Sequence, residues 1–134
     1  MKTSLILFVA LLLSACEYND LSNATIKPGV YKGIFFRAPK FTDEVNYEVA
    51  NVTITFTANQ FSGVSDKVHY PAICNGTYKI TGHEIDFTNA CFFTADFDWS
   101  FILSGSYQIQ SNGIVLTLQR TSGSMTDYYY LTLQ

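Results

Sequence analysis

The sequence predicts an all-β domain, an eight-stranded antiparallel up-and-down β-barrel over residues 29–134. Three observations predict it. From Gly29 onward apolar residues alternate with polar ones at a period of two, and no stretch carries a helical stripe. Three pairs of neighbouring segments are joined by short turn signals. Two cysteines fall opposite each other in the register that one of those turns sets.

Residues 1–15 precede any strand. Lys2 is followed by an apolar run from Leu5 to Leu13. That length suits a signal peptide and falls short of the roughly 20 residues a spanning helix needs. The run ends in Leu13-Ser14-Ala15-Cys16. This resembles the lipobox of bacterial lipoproteins, where Leu-Ser/Ala-Ala/Gly precedes an invariant cysteine. The resemblance implies cleavage before Cys16 and lipidation of Cys16 by diacylglyceryl and N-acyl chains. It also implies a cell-envelope location, with the chain held to the outer membrane by its lipid. Each buried methylene adds roughly 0.8 kcal/mol, so several acyl chains make an effectively permanent anchor. An ordinary secretory peptide with a cysteine at its cut is the alternative.

Cys16 and the polar residues 17–28 read as a lipidated cysteine and flexible tether ending in the turn signal Pro28-Gly29. Glu17 and Asp20 put acid beside the anchor. Acid there resembles the surface-export signal of Bacteroidetes-type lipoproteins; a solvated acidic linker is the alternative. Position 17 is not Asp, so the enterobacterial inner-membrane retention signal is absent. The periplasmic and surface-exposed sides both stay open.

The first strand runs from Val30 to Arg37. Val52, Ile54 and Phe56 then run into a turn at Ala58-Asn59, and Phe61 and Gly63 run out, with Thr53, Thr55 and Thr57 on the other face. Next, Tyr78 and Ile80 lead through Gly82-His83 to Ile85 and Phe87. Gly at the first central position suits a two-residue type II′ turn. That turn places Ile80 opposite Ile85, Tyr78 opposite Phe87 and Cys74 opposite Cys91. If Thr81–Glu84 is hydrogen-bonded, Cys74–Cys91 falls at a non-hydrogen-bonded pair, where side chains are closest. A signal peptide leads to an oxidising compartment, so a Cys74–Cys91 disulfide is expected.

The Trp99-Phe101-Leu103 segment reads as the start of the next strand, with Trp99 plugging the barrel. It continues through Gly105 to Gln110, turns at Ser111-Asn112-Gly113-Ile114 and returns through Leu116 and Leu118. Asn-Gly is the type I′ signal, which puts Ile109 opposite Leu116 and Tyr107 opposite Leu118. A last strand spans Tyr128 to Leu133. A meander with one apolar face closes most simply into a barrel, which removes its edges; a sandwich is the alternative. The expected interior comprises Val52, Ile54, Phe56, Phe61, Tyr78, Ile80, Ile85, Phe87, Trp99, Phe101, Leu103, Tyr107, Ile109, Leu116, Leu118, Leu131 and Leu133. So much volume predicts a filled core, with any pocket at one end.

Tyr31-Lys32-Gly33, Cys74-Asn75-Gly76-Thr77-Tyr78 and the Tyr-rich last strand resemble the small lipocalin-like (calycin) lipoproteins of Bacteroidetes. Cys74, Asn75, Gly76, Tyr78 and then Cys91 are also similar to the META domain of heat-shock-type lipoproteins. Both resemblances imply a β-domain carried on an envelope lipoprotein.

The chain has 8 basic and 11 acidic residues and no basic stripe, which argues against nucleic acid as a partner. His69 and His83 have no Cys or Ser partner in a nucleophile motif. Asp66 with His69 supplies at most half a metal site, so no metal, cofactor or enzymatic activity is expected. Asp96-Phe97-Asp98-Trp99 has the composition to grip a cation or a sugar, or simply leads into a strand. Phe92, Phe93, Phe97 and Trp99 are the expected wall of an end pocket, and Phe92-Phe93 an apolar patch for a protein. The functional expectation is a membrane-anchored, non-enzymatic binding module for a small apolar ligand or a protein partner. Inhibition of a periplasmic or extracellular hydrolase is one alternative. Ser104-Gly105-Ser106-Tyr107 comes one residue short of the Ser-Gly-x-x-Tyr motif of lysozyme-inhibitor lipoproteins, so that family's key residues do not carry over. An envelope structural or assembly lipoprotein is the other. No oligomeric state follows from the sequence.

Overall fold

Eight strands pair in chain order and the last pairs with the first, in a computed structural model that describes residues 23–40 and 46–134. They are β1 (Gly29–Pro39), β2 (Val49–Phe56), β3 (Gln60–Ser65), β4 (Asn75–Thr81), β5 (Glu84–Asn89), β6 (Gly105–Ser111), β7 (Val115–Ser122) and β8 (Met125–Leu133). Every neighbouring pair is antiparallel and the barrel is closed. The expected signal peptide and lipobox, with Cys16, Glu17 and Asp20, lie outside the described residues.

Two hairpins follow the register expected from their turns. Phe56 pairs with Phe61 around Ala58-Asn59. Ile80 pairs with Ile85 and Tyr78 with Phe87 around Gly82-His83, where Gly82 takes φ +62°, a value that costs glycine nothing. Four residues above Tyr78 and Phe87, Cys74 and Cys91 form a disulfide with their Cα atoms 6.3 Å apart. Replacing both cysteines by serine should lower stability by at most about 3 kcal/mol, the value for a loop near 15 residues. A denaturant titration of the variant against the parent checks this; an unchanged midpoint would contradict it.

The β6–β7 hairpin corrects the sequence reading. Ile109 pairs with Leu118 and Ser111 with Leu116, so the register is two residues from the expected one. Asn112 does not occupy the turn centre. Its side-chain oxygen accepts from the N–H groups of Ile114 (3.0 Å) and Val115 (2.7 Å), and Gly113 alone takes a positive φ, +85°. A shift of two preserves the faces, so Tyr107, Ile109, Leu116 and Leu118 are all buried.

The second correction concerns Trp99. No strand begins there. Asp98 accepts from the Ser100 N–H at 2.9 Å and caps a single 3-10 turn, Trp99–Phe101. Trp99 is 56% exposed and its indole N–H donates to the Thr94 carbonyl at 2.8 Å. The plug is made instead by Phe101 and Tyr70, whose rings meet at 4.9 Å and both reach Phe35, with Leu103 buried behind them. Residues 99–103 are held by the neighbouring loop, since Ala72 and Ile102 form a parallel bridge.

Aromatic rings fill the interior from wall to wall. Tyr31 meets Phe56 at 5.5 Å, Phe61 meets Phe87 at 5.0 Å, Phe87 meets Tyr107 at 5.7 Å, and Tyr107 meets Tyr129 at 5.9 Å. Gly33 is the small position that lets β1 and β8 approach: a β-carbon there would overlap the Tyr130 carbonyl.

Burial raises the pKa of Tyr31, Tyr70 and Tyr78, and pushes Tyr107 and Tyr129 furthest up. An acid whose folded pKa is raised contributes stability that is complete below the unfolded value, roughly pH 10, and lost as pH rises through the folded value. The Tyr107 and Tyr129 phenols should therefore ionise only as the sheet's circular dichroism is lost. A single tyrosinate transition near pH ~10 in a folded protein would contradict this.

The two barrel ends differ. The near end carries the turns after β2, β4 and β6, together with residues 23–28. Ala24 donates its N–H to Gly82 O at 2.9 Å, Ala24 and Ile26 pack against the core, and the Tyr31 hydroxyl donates to Lys27 O at 3.0 Å. These last residues of the expected tether are thus docked on the barrel. The far end carries the long connections, residues 66–74 and 90–104.

Candidate functional site

The residues singled out from the sequence sit together on the 90–104 connection at the far end. The disulfide fixes its start, and the Asn89 amide donates to Cys91 O at 2.9 Å. Phe92 then stands fully exposed. Phe93 packs edge-on against Phe97 at 5.7 Å, and Phe97 stacks on His69 at 3.9 Å, so one wall of three rings forms across two loops. Thr94 bonds the Asp96 carboxylate and accepts from Trp99 through its carbonyl. Phe92 and Trp99 are therefore exposed aromatics on a loop braced by its own bonds.

The two carboxylates take separate partners. The Thr94 hydroxyl holds Asp96 below the usual carboxylate range, and hydrogen bonds from Ser100 do the same for Asp98. Asp98 also faces Arg37 at 3.7 Å. Asp66 and His69 are not brought together on one ligand: Asp66 accepts from the Asn51 N–H and amide at 2.8 and 2.7 Å, while His69 lies on Phe97. Among the described residues, no three His, Cys, Asp or Glu side chains converge as metal ligands would.

Beneath this loop lies a cluster that sequence reasoning missed. Arg37, Arg120 and Asp127 sit at the far ends of β1, β7 and β8. Asp127 is buried and takes both cations. Arg37 grips it through Nε at 2.5 Å and Nη2 at 3.0 Å; Arg120 reaches it through Nη2 at 2.8 Å. Both guanidiniums also tie down the loop. Arg37 donates to the Ser100 hydroxyl and carbonyl at 2.7 and 2.9 Å, and Arg120 to the Ser100 and Ser104 carbonyls at 2.6 and 2.7 Å. Arg37 lies 3.8 Å over the Phe101 ring and Arg120 4.5 Å over Tyr107.

A cleft of about 430 Å³ opens over this cluster. Two arginines in a cleft invite an anion, but counting donors decides otherwise. A guanidinium has five N–H groups. Arg37 bonds through Nε, both protons on Nη2 and one on Nη1, and its other Nη1 proton faces Asp98 in an ion pair at 3.7 Å. Arg120 keeps only Nε and one Nη1 proton, and its Nε is buried. Asp127 and Asp98 balance the two cations. The cluster is a brace that fixes the far-end loop to three strands through Ser100 and Ser104.

Comparison with protein-family models, with curated proteins and with solved structures finds no match for this chain.

Proposed function

We propose that this chain is a lipid-anchored cell-envelope lipoprotein, with Cys16 the lipid-bearing residue, acting as a non-enzymatic binding module for a protein partner. One observation carries the reading: the barrel is filled by its own rings, while Phe92 and Trp99 are exposed on a braced loop. An interior filled by side chains has no place for a small apolar ligand, so recognition falls to the outside. Exposed aromatics held rigid bury area on binding at little ordering cost, which is how binding energy concentrates in a few residues. Orientation supports the same reading. Residues 23–28 dock at the near end, so an anchor at Cys16 leaves the aromatic loop facing away from its own lipid.

Native mass spectrometry and chemical crosslinking of protein from its own cells test this. The expected result is no bound small molecule beyond the lipid, together with a defined protein adduct. That adduct should be lost in Phe92→Ala/Trp99→Ala without a change in melting temperature. A stoichiometric apolar molecule on the folded chain, or an adduct indifferent to both substitutions, would overturn the proposal.

A further inference from the structure

The outer surface of β1, β6, β7 and β8 carries an arrangement that the far-end loop does not use. Tyr128 and Tyr130 point outward on β8, between the buried Asp127, Tyr129 and Leu131. Strand pairing sets Phe36 and Gln119 on either side of Tyr128, and Ile34 and Thr117 on either side of Tyr130. One strand further, Gln108 pairs with Gln119 and Gln110 with Thr117. A row of rings thus borders a row of amides.

The rings share an orientation. Tyr128 and Tyr130 lie 2° from parallel with centroids 6.3 Å apart, and Phe36 lies within 22° of both. Tyr47 continues the row, 15° from Phe36 at 5.7 Å. Tyr130 is 45% exposed. Between rings and amides runs a cleft of about 150 Å³, lined by Gln108, Gln110, Thr117, Gln119, Tyr128 and Tyr130, with Leu118, whose side chain is buried, at its floor.

Two features of that cleft define an occupant. No Asp, Glu, Lys or Arg lines it. The side chains of Gln110, Thr117, Gln119, Tyr128 and Tyr130 make no hydrogen bond to any described residue, and Gln108 makes one, 3.5 Å long, to Glu84. An anion would find no cation there. An apolar ligand would strip water from several amides and hydroxyls without replacing their bonds, at a cost for each. A sugar ring offers a C–H face to an aromatic ring and, at its edges, hydroxyls that both donate and accept. Glutamine amides and phenols match those hydroxyls without charge.

We infer that this face binds a neutral carbohydrate chain, lying along the Tyr128–Tyr130 row with its hydroxyls toward Gln108, Gln110 and Gln119. The site is separate from the far-end loop. Affinity electrophoresis tests it, with the full chain held in a non-glycosidic detergent. It is run through gels containing dextran, mannan, xylan, xyloglucan or a soluble β-glucan, with alginate as the charged control. Retardation is expected in at least one neutral gel. Tyr130→Ala should weaken it roughly tenfold, the scale of one aromatic contact. Gln110→Ala/Gln119→Ala, which removes no ring, should weaken it as well, and Phe92→Ala should leave it unchanged. No retardation in any neutral gel, retardation only in alginate, or retardation that survives both the tyrosine and the glutamine substitutions would overturn the inference.

Discussion

Asp127→Ala should cost about 3–5 kcal/mol, because it leaves two largely buried guanidiniums facing each other at the floor of the far-end cleft. The cost is that of uncompensated buried charge and exceeds the worth of the ion pairs themselves. Domains of this size have roughly 5–15 kcal/mol in all, so the variant should melt well over 10 °C lower. Asp127→Asn should fall between, since it keeps an acceptor and loses the charge. Replacing Arg37, Arg120 and Asp127 together by apolar residues of similar volume should be far milder than Asp127→Ala alone. Thermal melts of these variants check the ordering. If Asp127→Ala melts with the parent, the cluster does not brace the far end.

Phe35→Ala should cost a similar amount, about 3–5 kcal/mol, for a different reason. Phe35 has no exposed surface and meets Tyr129 at 4.8 Å, Tyr70 at 5.1 Å and Phe101 at 6.4 Å. It is where the plug from the 66–74 and 90–104 connections meets the barrel core. Removing the ring takes away buried apolar area and leaves a cavity where the sheet meets two connections tied together by the disulfide. Phe35→Leu should retain most of the stability, because the volume is largely kept. A Phe35→Ala midpoint within about 1 kcal/mol of the parent would mean that the interior is not packed as described.

Turn chemistry made much of this fold legible. Gly82-His83 sets a register, and that register alone places Cys74 on Cys91. Where one turn admits two geometries, the dipeptide alone does not choose between them. Asn112-Gly113 satisfies the type I′ pattern, but the Asn112 side chain caps two backbone N–H groups instead. Asp98-Trp99-Ser100 carries a helix N-cap signal, hidden beneath an apparent alternation of Trp99, Phe101 and Leu103.

The inner face of the first and last strands was obscured by aromatic residues on both sides. Tyr31, Phe35 and Tyr129 point inward, while Phe36, Tyr128 and Tyr130 point outward, so hydrophobicity alone does not separate the faces. Parity does separate them. Arg37 lies two residues beyond Phe35, Arg120 two beyond Leu118, and Asp127 two before Tyr129. Three charges at inward positions on three strand ends were the available sign of the brace. Only the closed topology brings those ends to one rim. The 90–104 aromatics were legible as a group because composition marks them, but their exposure depends on capping and bracing that come from distant strands.

Position-specific photocrosslinking in native membranes tests the central claim most directly, with the photoreactive residue placed at Phe92 in one variant and at Asn59, on a near-end turn, in another. The predicted result is one protein adduct of defined mass from position 92 and none from position 59. Equal labelling from both positions, or labelling of lipid alone from position 92, would contradict recognition through the far-end loop.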